Sequence, residues 1–404
     1  MVLLELLPLA CLADTINFGL LRGTLGVQAG LEFTDNLNNS ESDRISNVDW
    51  ILGPTFNGGL TLPIHIAGTG GEQMTIRTGF AYNEKYSLNG NGHTRSFSSP
   101  VTAELFVPLT VGLWRLSLSD SFSFKNDELE LAVGLNEATT EQYRNLVAVN
   151  ASRNFGKATI SLRGDRTDTI SPTDPDQETT VYQFSFTPSL LIRDRYSLFW
   201  ANTYALTYQA DPDLQDSEGW SSSIGVSGLL TPRLSGVISI GFSHSRIKSQ
   251  VLGPGDGIFG GIFDKEVLRA DNVDGITSSI GLSYANELNP NTTYSISMFN
   301  SPGVTAVLKS SSVTEVYGAT LRINHLLTPT VTLSPAFTWT HAESLGRDSS
   351  GEVTDLFAIQ LGLRRRFTAN LTGNFNYQYV LRSSNQPDSN YDVNRLSIRI
   401  NYTF

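Results

Sequence analysis

Trp114-Arg115-Leu116-Ser117-Leu118-Ser119-Asp120-Ser121-Phe122-Ser123-Phe124-Lys125 decides the fold class. Trp114, Leu116, Leu118, Phe122 and Phe124 occupy alternate positions, with Arg115, Ser117, Ser119, Ser121, Ser123 and Lys125 between them. A strand points successive side chains to opposite faces, so this period separates an apolar face from a polar one. An amphipathic helix would repeat its apolar residues every three or four positions instead. One residue breaks the pattern. Asp120 falls on the apolar face in mid-strand; a bulge or a contact with another subunit would explain it, and a mistaken register is the simplest explanation.

The alternation continues in both directions. Leu25, Val27, Ala29, Leu31 and Phe33 form one set; Tyr182, Phe184, Phe186, Leu190 and Ile192 form another. Eighteen segments can be counted, with sixteen as the lower count. They start near residues 24, 46, 74, 98, 114, 143, 158, 181, 196, 220, 234, 275, 292, 313, 331, 354, 371 and 392. Short connections, such as 108–113 and 154–157, alternate with long ones, such as 126–142 and 246–274. Segments of ~11 residues joined in that rhythm predict an all-β chain. The expected form is a single transmembrane antiparallel up-and-down β-barrel over 24–404, with short periplasmic turns and long extracellular loops.

Composition agrees. Only 17% of residues are charged, against ~25% in soluble domains, and no run of ~20 apolar residues could cross a bilayer as a helix. The chain holds 35 Gly, 21 Phe, 14 Tyr and 5 Trp. Its single Cys excludes a disulfide framework or a cysteine metal site. A net charge of -11 disfavours nucleic acid as a partner. Residues 1–13, ending Cys11-Leu12-Ala13, read as a signal peptide whose basic n-region is missing, as a truncated or mis-assigned start would leave it. Residues 14–23 read as a periplasmic segment.

A soluble β-sandwich also alternates, but it hides its apolar face. Here Trp50, Tyr82, Phe124, Tyr143, Tyr196, Tyr208, Trp220, Trp339 and Tyr379 lie near strand ends on that face, as membrane-interface girdles require. The chain ends on Leu396, Ile398, Ile400, Tyr402 and Phe404 at alternate positions, and its first strand runs into Phe33-Thr34-Asp35-Asn36-Leu37. Those two ends, with the pattern between them, resemble the β-barrel porin families of Gram-negative bacteria. The resemblance implies the bacterial outer membrane as location. It also implies that the terminal aromatic strand is a signal for the outer-membrane insertion machinery.

Alternation places Arg77, Lys85, Arg115, Lys125, Arg144, Arg163, Arg322, Arg364, Arg395 and Arg399 inward, together with Glu32, Asp49, Glu104 and Asp165. Arginines lining a wet lumen favour anions or organise water and sugar hydroxyls. Alternatively they pair with Glu32, Glu104 and the C-terminal carboxylate. The glycine-rich loop 253–261 is followed by more apolar chain, and Ile258, Phe259, Ile262 and Phe263 would be sheltered if it folded into the lumen as a constriction. Disorder or a subunit contact are the alternatives. The long loops are acidic, as at Asp127, Glu128, Glu130 and Asp174, Asp176, Glu178. Such groups can bridge divalent cations to lipopolysaccharide, although plain solubility also explains them.

Catalysis has little support. His244 lies beside Ser243 and Ser245, but strand neighbours point to opposite faces. His65, His93, His325 and His341 have no carboxylate at ligand spacing and read as polar turn or loop residues. No enzyme, metal or cofactor is expected. The expected function is passive diffusion of small hydrophilic solutes through an outer-membrane porin. A non-conducting envelope or surface scaffold, linked to polysaccharide secretion, is the alternative. Lipid, lipopolysaccharide, solutes and further subunits are the expected contacts.

Overall fold

The computed structural model describes residues 16–18, 20–36, 46–63, 73–87, 93–127, 140–170, 178–209, 216–251, 267–285, 291–304, 313–345, 353–385 and 389–404. The strands are β1 (Ile16–Phe18), β2 (Leu21–Thr34), β3 (Asn47–Pro63), β4 (Gln73–Ser87), β5 (His93–Val111), β6 (Trp114–Asp127) and β7 (Thr140–Asn154). They continue as β8 (Ala158–Ile170), β9 (Thr179–Arg193), β10 (Tyr196–Gln209), β11 (Asp216–Leu229), β12 (Leu234–Val251) and β13 (Val267–Ala285). The last are β14 (Thr292–Val304), β15 (Val313–Thr328), β16 (Val331–Leu345), β17 (Val353–Arg366), β18 (Leu371–Ser384) and β19 (Tyr391–Thr403).

From β2 to β19 each strand pairs antiparallel with the next, and β19 returns to β2 from Arg395↔Thr34 to Thr403↔Gly26. The sheet is therefore a closed up-and-down barrel of eighteen strands. Closure leaves no free edge, which is the β solution to pairing every backbone group. Tight turns gather at one end. Gly112 and Leu113 alone join Val111 to Trp114, with Gly112 at φ +63°, a region glycine enters without strain. The expected connection 108–113 thus shrinks, because β5 continues through Pro108 to Val111.

Register carries the two faces around the ring. Phe375, Ile398, Leu31, Trp50 and Tyr86 stand opposite one another in one hydrogen-bonded row. Ile398 and Trp50 on that row are 47% and 52% exposed. The opposite face holds the buried Gln28, Thr34 and Ile51 and is the inner wall. Near the long-loop ends of β17, β18 and β19 that wall carries a packed cluster of Leu356, Ala358, Val380, Tyr391 and Val393. Buried Arg382 lies over the Tyr391 ring at 5.9 Å. The small apolar core therefore sits inside, at one side of the mouth.

Asp120 faces outward, and the register there is sound. Leu105↔Asp120 and Asp120↔Val147 belong to unbroken ladders. The only shifts nearby lie between β4 and β5, at Gly79 to Tyr82. Neither a bulge nor a misread register moves Asp120 off the apolar band. In hydrocarbon such a charge costs on the order of 1–3 kcal/mol.

The seam between β19 and β2 has its own fastening. Asp35 accepts from the Asn394 backbone N–H at 2.6 Å and from Asn394 Nδ2 at 2.7 Å. Asn36 Nδ2 donates to the Asp392 carbonyl at 2.8 Å. At the other end the Phe404 N–H donates to the Leu25 carbonyl at 2.8 Å. Below it β1 pairs with Leu21 to Gly23, on the edge that β19 leaves open, since β3 holds the other. The segment ahead of the barrel is thus partly strand, and β2 begins at Leu21 rather than at Thr24.

Gly30 lies in this seam beneath Arg399. A Cβ there would run into the Ile398 carbonyl and would sit 3.0 Å from Arg399 Cγ. Gly30→Ala should lower the temperature at which the folded gel band converts to the unfolded one. Gly59→Ala, whose Cβ would meet only the Ile76 carbonyl at 3.8 Å, should leave it unchanged.

Candidate functional site

The inner wall divides into arcs of different chemistry. One arc runs over β17, β18, β19 and β2. Arg364, Asn374, Arg399 and Gly30 share a hydrogen-bonded row, and Gln360, Gln378, Arg395 and Thr34 share another. Arg399 Nη2 lies 3.0 Å from Glu32 Oε2, reaching it across Gly30, which has no side chain in the way.

A second arc covers β4 to β8 and presents Arg77, Arg115, Arg144 and Arg163 inward. Arg163 Nε bonds Asp165 Oδ1 at 2.7 Å. Arg77 stands opposite Glu104 in register without an ion pair. Among the described residues, Arg77, Arg115, Arg144, Arg322 and Arg364 have no carboxylate within ion-pair reach, and all five are exposed on the inner face. Pairing therefore accounts for Arg163 and Arg399 and leaves these five solvated. Lys85 and Lys125 fall outside the side chains the structure describes.

The third arc is different. Among the described side chains of β10, β11 and β12, no charged residue takes an inward position. A recess of about 420 Å³ opens there, and its lining includes Thr203, Thr207, Ser221, Ser243, Ser245 and Thr277. Ser239 and Ser279 hydroxyls meet across the strands at 2.7 Å. Hydroxyl groups both donate and accept, so this wall can exchange hydrogen bonds with water or with polyhydroxylated molecules of either charge.

Arg382 is an inward basic residue that the sequence reading passes over. A segment of ~11 residues starting near 371 stops just short of it, yet the inward series Asn374, Asn376, Gln378, Val380 runs on to Arg382. Continued alternation was the available signal. Tyr402 and Phe404 rings meet edge-on at 5.1 Å on the last strand, and Leu396, Ile398 and Ile400 share their outward face. Ile258, Phe259, Ile262 and Phe263 lie outside the described residues, as do Glu128, Glu130, Asp174, Asp176 and His65.

The other histidines are not turn residues. His325 lies on β15, with Nδ1 2.7 Å from Thr292 Oγ1. His341 lies on β16, with Nδ1 2.9 Å from Asp355 Oδ1, and that same oxygen accepts from Trp339 Nε1 at 3.2 Å. His244 Nδ1 meets Asp274 Oδ1 at 2.7 Å. Both His–Asp pairs come from cross-strand neighbours, which spacing along the chain cannot reveal. Among the described residues, neither imidazole has a hydroxyl on its other nitrogen, so no nucleophile is set up beside it.

No family model and no curated protein matches the chain. Among solved structures, it is similar to OpdK of Pseudomonas aeruginosa, crystallised with vanillate, at 11% identity and a TM-score of 0.49, over 97% of this chain and 100% of that one. OccAB3 of Acinetobacter baumannii matches at 11% identity and a TM-score of 0.45, over 95% and 99% of the two chains. OccK2 of Pseudomonas aeruginosa, crystallised with glucuronate, matches at 10% identity and a TM-score of 0.45, over 95% and 98%.

Proposed function

We propose that the chain is an outer-membrane channel through which small hydrophilic solutes diffuse passively. The observation that carries this reading is the closed eighteen-strand ring with an apolar band outside and solvated arginines and hydroxyls inside. An apolar outer band belongs in lipid, where every backbone group must be paired and only helices or closed barrels satisfy that need. Strands ~4.8 Å apart and tilted ~40° close eighteen-fold at a radius of roughly 18 Å. Side chains of the wall cannot fill such a bore. The cluster around Leu356 and Val393 occupies only one side of it.

The arginine arcs favour anionic or hydroxyl-rich solutes, while the hydroxyl arc offers uncharged hydrogen bonding along the opposite wall. The expected connection 246–274 narrows to 252–266, because β12 runs to Val251 and β13 starts at Val267. This shorter connection, with Ile258, Phe259, Ile262 and Phe263, is the proposed constriction. Purified protein in a planar bilayer should give stepwise conductance, and deletion within 252–266, which leaves the paired strands β12 and β13 intact, should enlarge the step. A silent barrel that is demonstrably inserted would overturn the channel. Lost binding of an envelope partner on the same deletion would favour the scaffold in its place.

A further inference from the structure

The outward face of β6, β7 and β8 does not suit lipid alone. Asp120 lies between Leu118 and Phe122 on that face, and Arg166 and Asp168 lie between Gly164 and Ile170. Of the outward charges elsewhere, Arg153 and Asp355 sit near strand ends, and Asp274, deeper in β13, is paired with His244 at 2.7 Å. Asp120 Oδ1 is shielded from solvent and has no hydrogen-bond partner. Arg166 is held by Asp168 at 2.9 Å yet remains 52% exposed. Asn145 stands beside Asp168 in the same ladder. Next to this polar patch an apolar groove of about 520 Å³ runs over Ala151, Leu162, Gly164, Phe184, Phe186 and Tyr204.

We propose that this face is a self-association surface, on which a second copy of the chain docks about a two-fold axis passing in front of Val147. Both copies enter the membrane the same way up, so the axis must run along the membrane normal. Such an axis brings residues on either side of it into contact with each other's counterparts. Asp120 and Arg166 flank Val147 in one hydrogen-bonded row. The axis therefore sets each Asp120 toward the other copy's Arg166. Strand tilt of ~40° offsets the heights of Asp120 and Arg166 by roughly 6 Å, within the length of an arginine side chain. An acyl chain could fill the groove, but it would leave Asp120 without a partner. The complementary charges select a second protein copy.

The test uses the full chain with Cys11→Ser, so that no native thiol remains. Val147→Cys should oxidise to a covalent dimer in outer membranes, because the two-fold axis brings its Cα atoms within ~7 Å. Ile280→Cys, outward on β13, should not. Asp120→Arg or Arg166→Asp alone should lower the dimer fraction about tenfold by native mass spectrometry, and the double exchange should restore it. The proposal is overturned by a monomer that gives no Val147→Cys dimer. Equal cross-linking at Ile280→Cys, or a larger assembly built on another face, would overturn it too. If a charge variant fails to fold, the Val147→Cys measurement on the otherwise native face still decides.

Discussion

Phe404→Ser should leave export intact and reduce heat-modifiable, protease-resistant barrel in the outer membrane to a small fraction of the native amount. Phe404 closes the outward series Leu396, Ile398, Ile400, Tyr402, its ring meets Tyr402, and its N–H is bonded to Leu25 on the first barrel strand. Before closure, this strand presents an alternating apolar edge, which is the feature an insertion machinery can read. Asn401→Ser and Thr403→Ser change the inward face of the same strand and should assemble nearly as well as the native chain. Fractionation followed by gel mobility with and without heating reads the difference. Full assembly of Phe404→Ser would remove the proposed signal. A soluble, monomeric Phe404→Ser chain with native β content would remove the membrane assignment itself.

The second large effect concerns charge in the lumen. Combined Arg115→Glu, Arg144→Glu and Arg364→Glu exchange replaces three solvated cations with three anions without disturbing an ion pair among the described residues. In a salt gradient at ~0.1 M, where screening extends over ~10 Å, the reversal potential should change sign toward cation preference. At ~1 M salt, with a ~3 Å screening length, most of the change should vanish. Exchanging Ser221, Ser243 and Thr277 for Ala should barely move the reversal potential. An unchanged potential in the arginine variant would place the conducting path away from both arginine arcs.

Much of this architecture can be read from the chain because a barrel strand has only two faces and register fixes both. The alternation that begins at Trp114 predicts the strand that forms there, and the inward placement of Arg115 and Arg144 follows from counting by twos. What counting cannot reach is the neighbour across the ladder. His341 and Asp355 are 14 positions apart, and His244 and Asp274 are 30 apart. Their pairing depends on loop lengths that alternation does not set. Asp120 presents the reverse problem. Its outward position is legible, and the temptation is to correct the register, when the register is right and the residue is the exception. The Thr34-Asp35-Asn36 stretch likewise reads only as a resemblance until the fold brings Asn394 beside it.

That fastening bears on how the ring opens and shuts. Every other hairpin closes a short span, whereas Asp35 and Asn394 are separated by 359 positions. Chain entropy makes closing a loop of ~360 residues about 2 kcal/mol costlier than closing one of ~30. The ladder at this joint is also among the shorter ones, with nine paired positions. Extra hydrogen bonds worth roughly 1 kcal/mol each are therefore concentrated on the line where the loop-closure entropy is greatest. The joint should form last in refolding and part first under heat, so a cysteine bridge across it would slow unfolding more than one across any covalently linked hairpin.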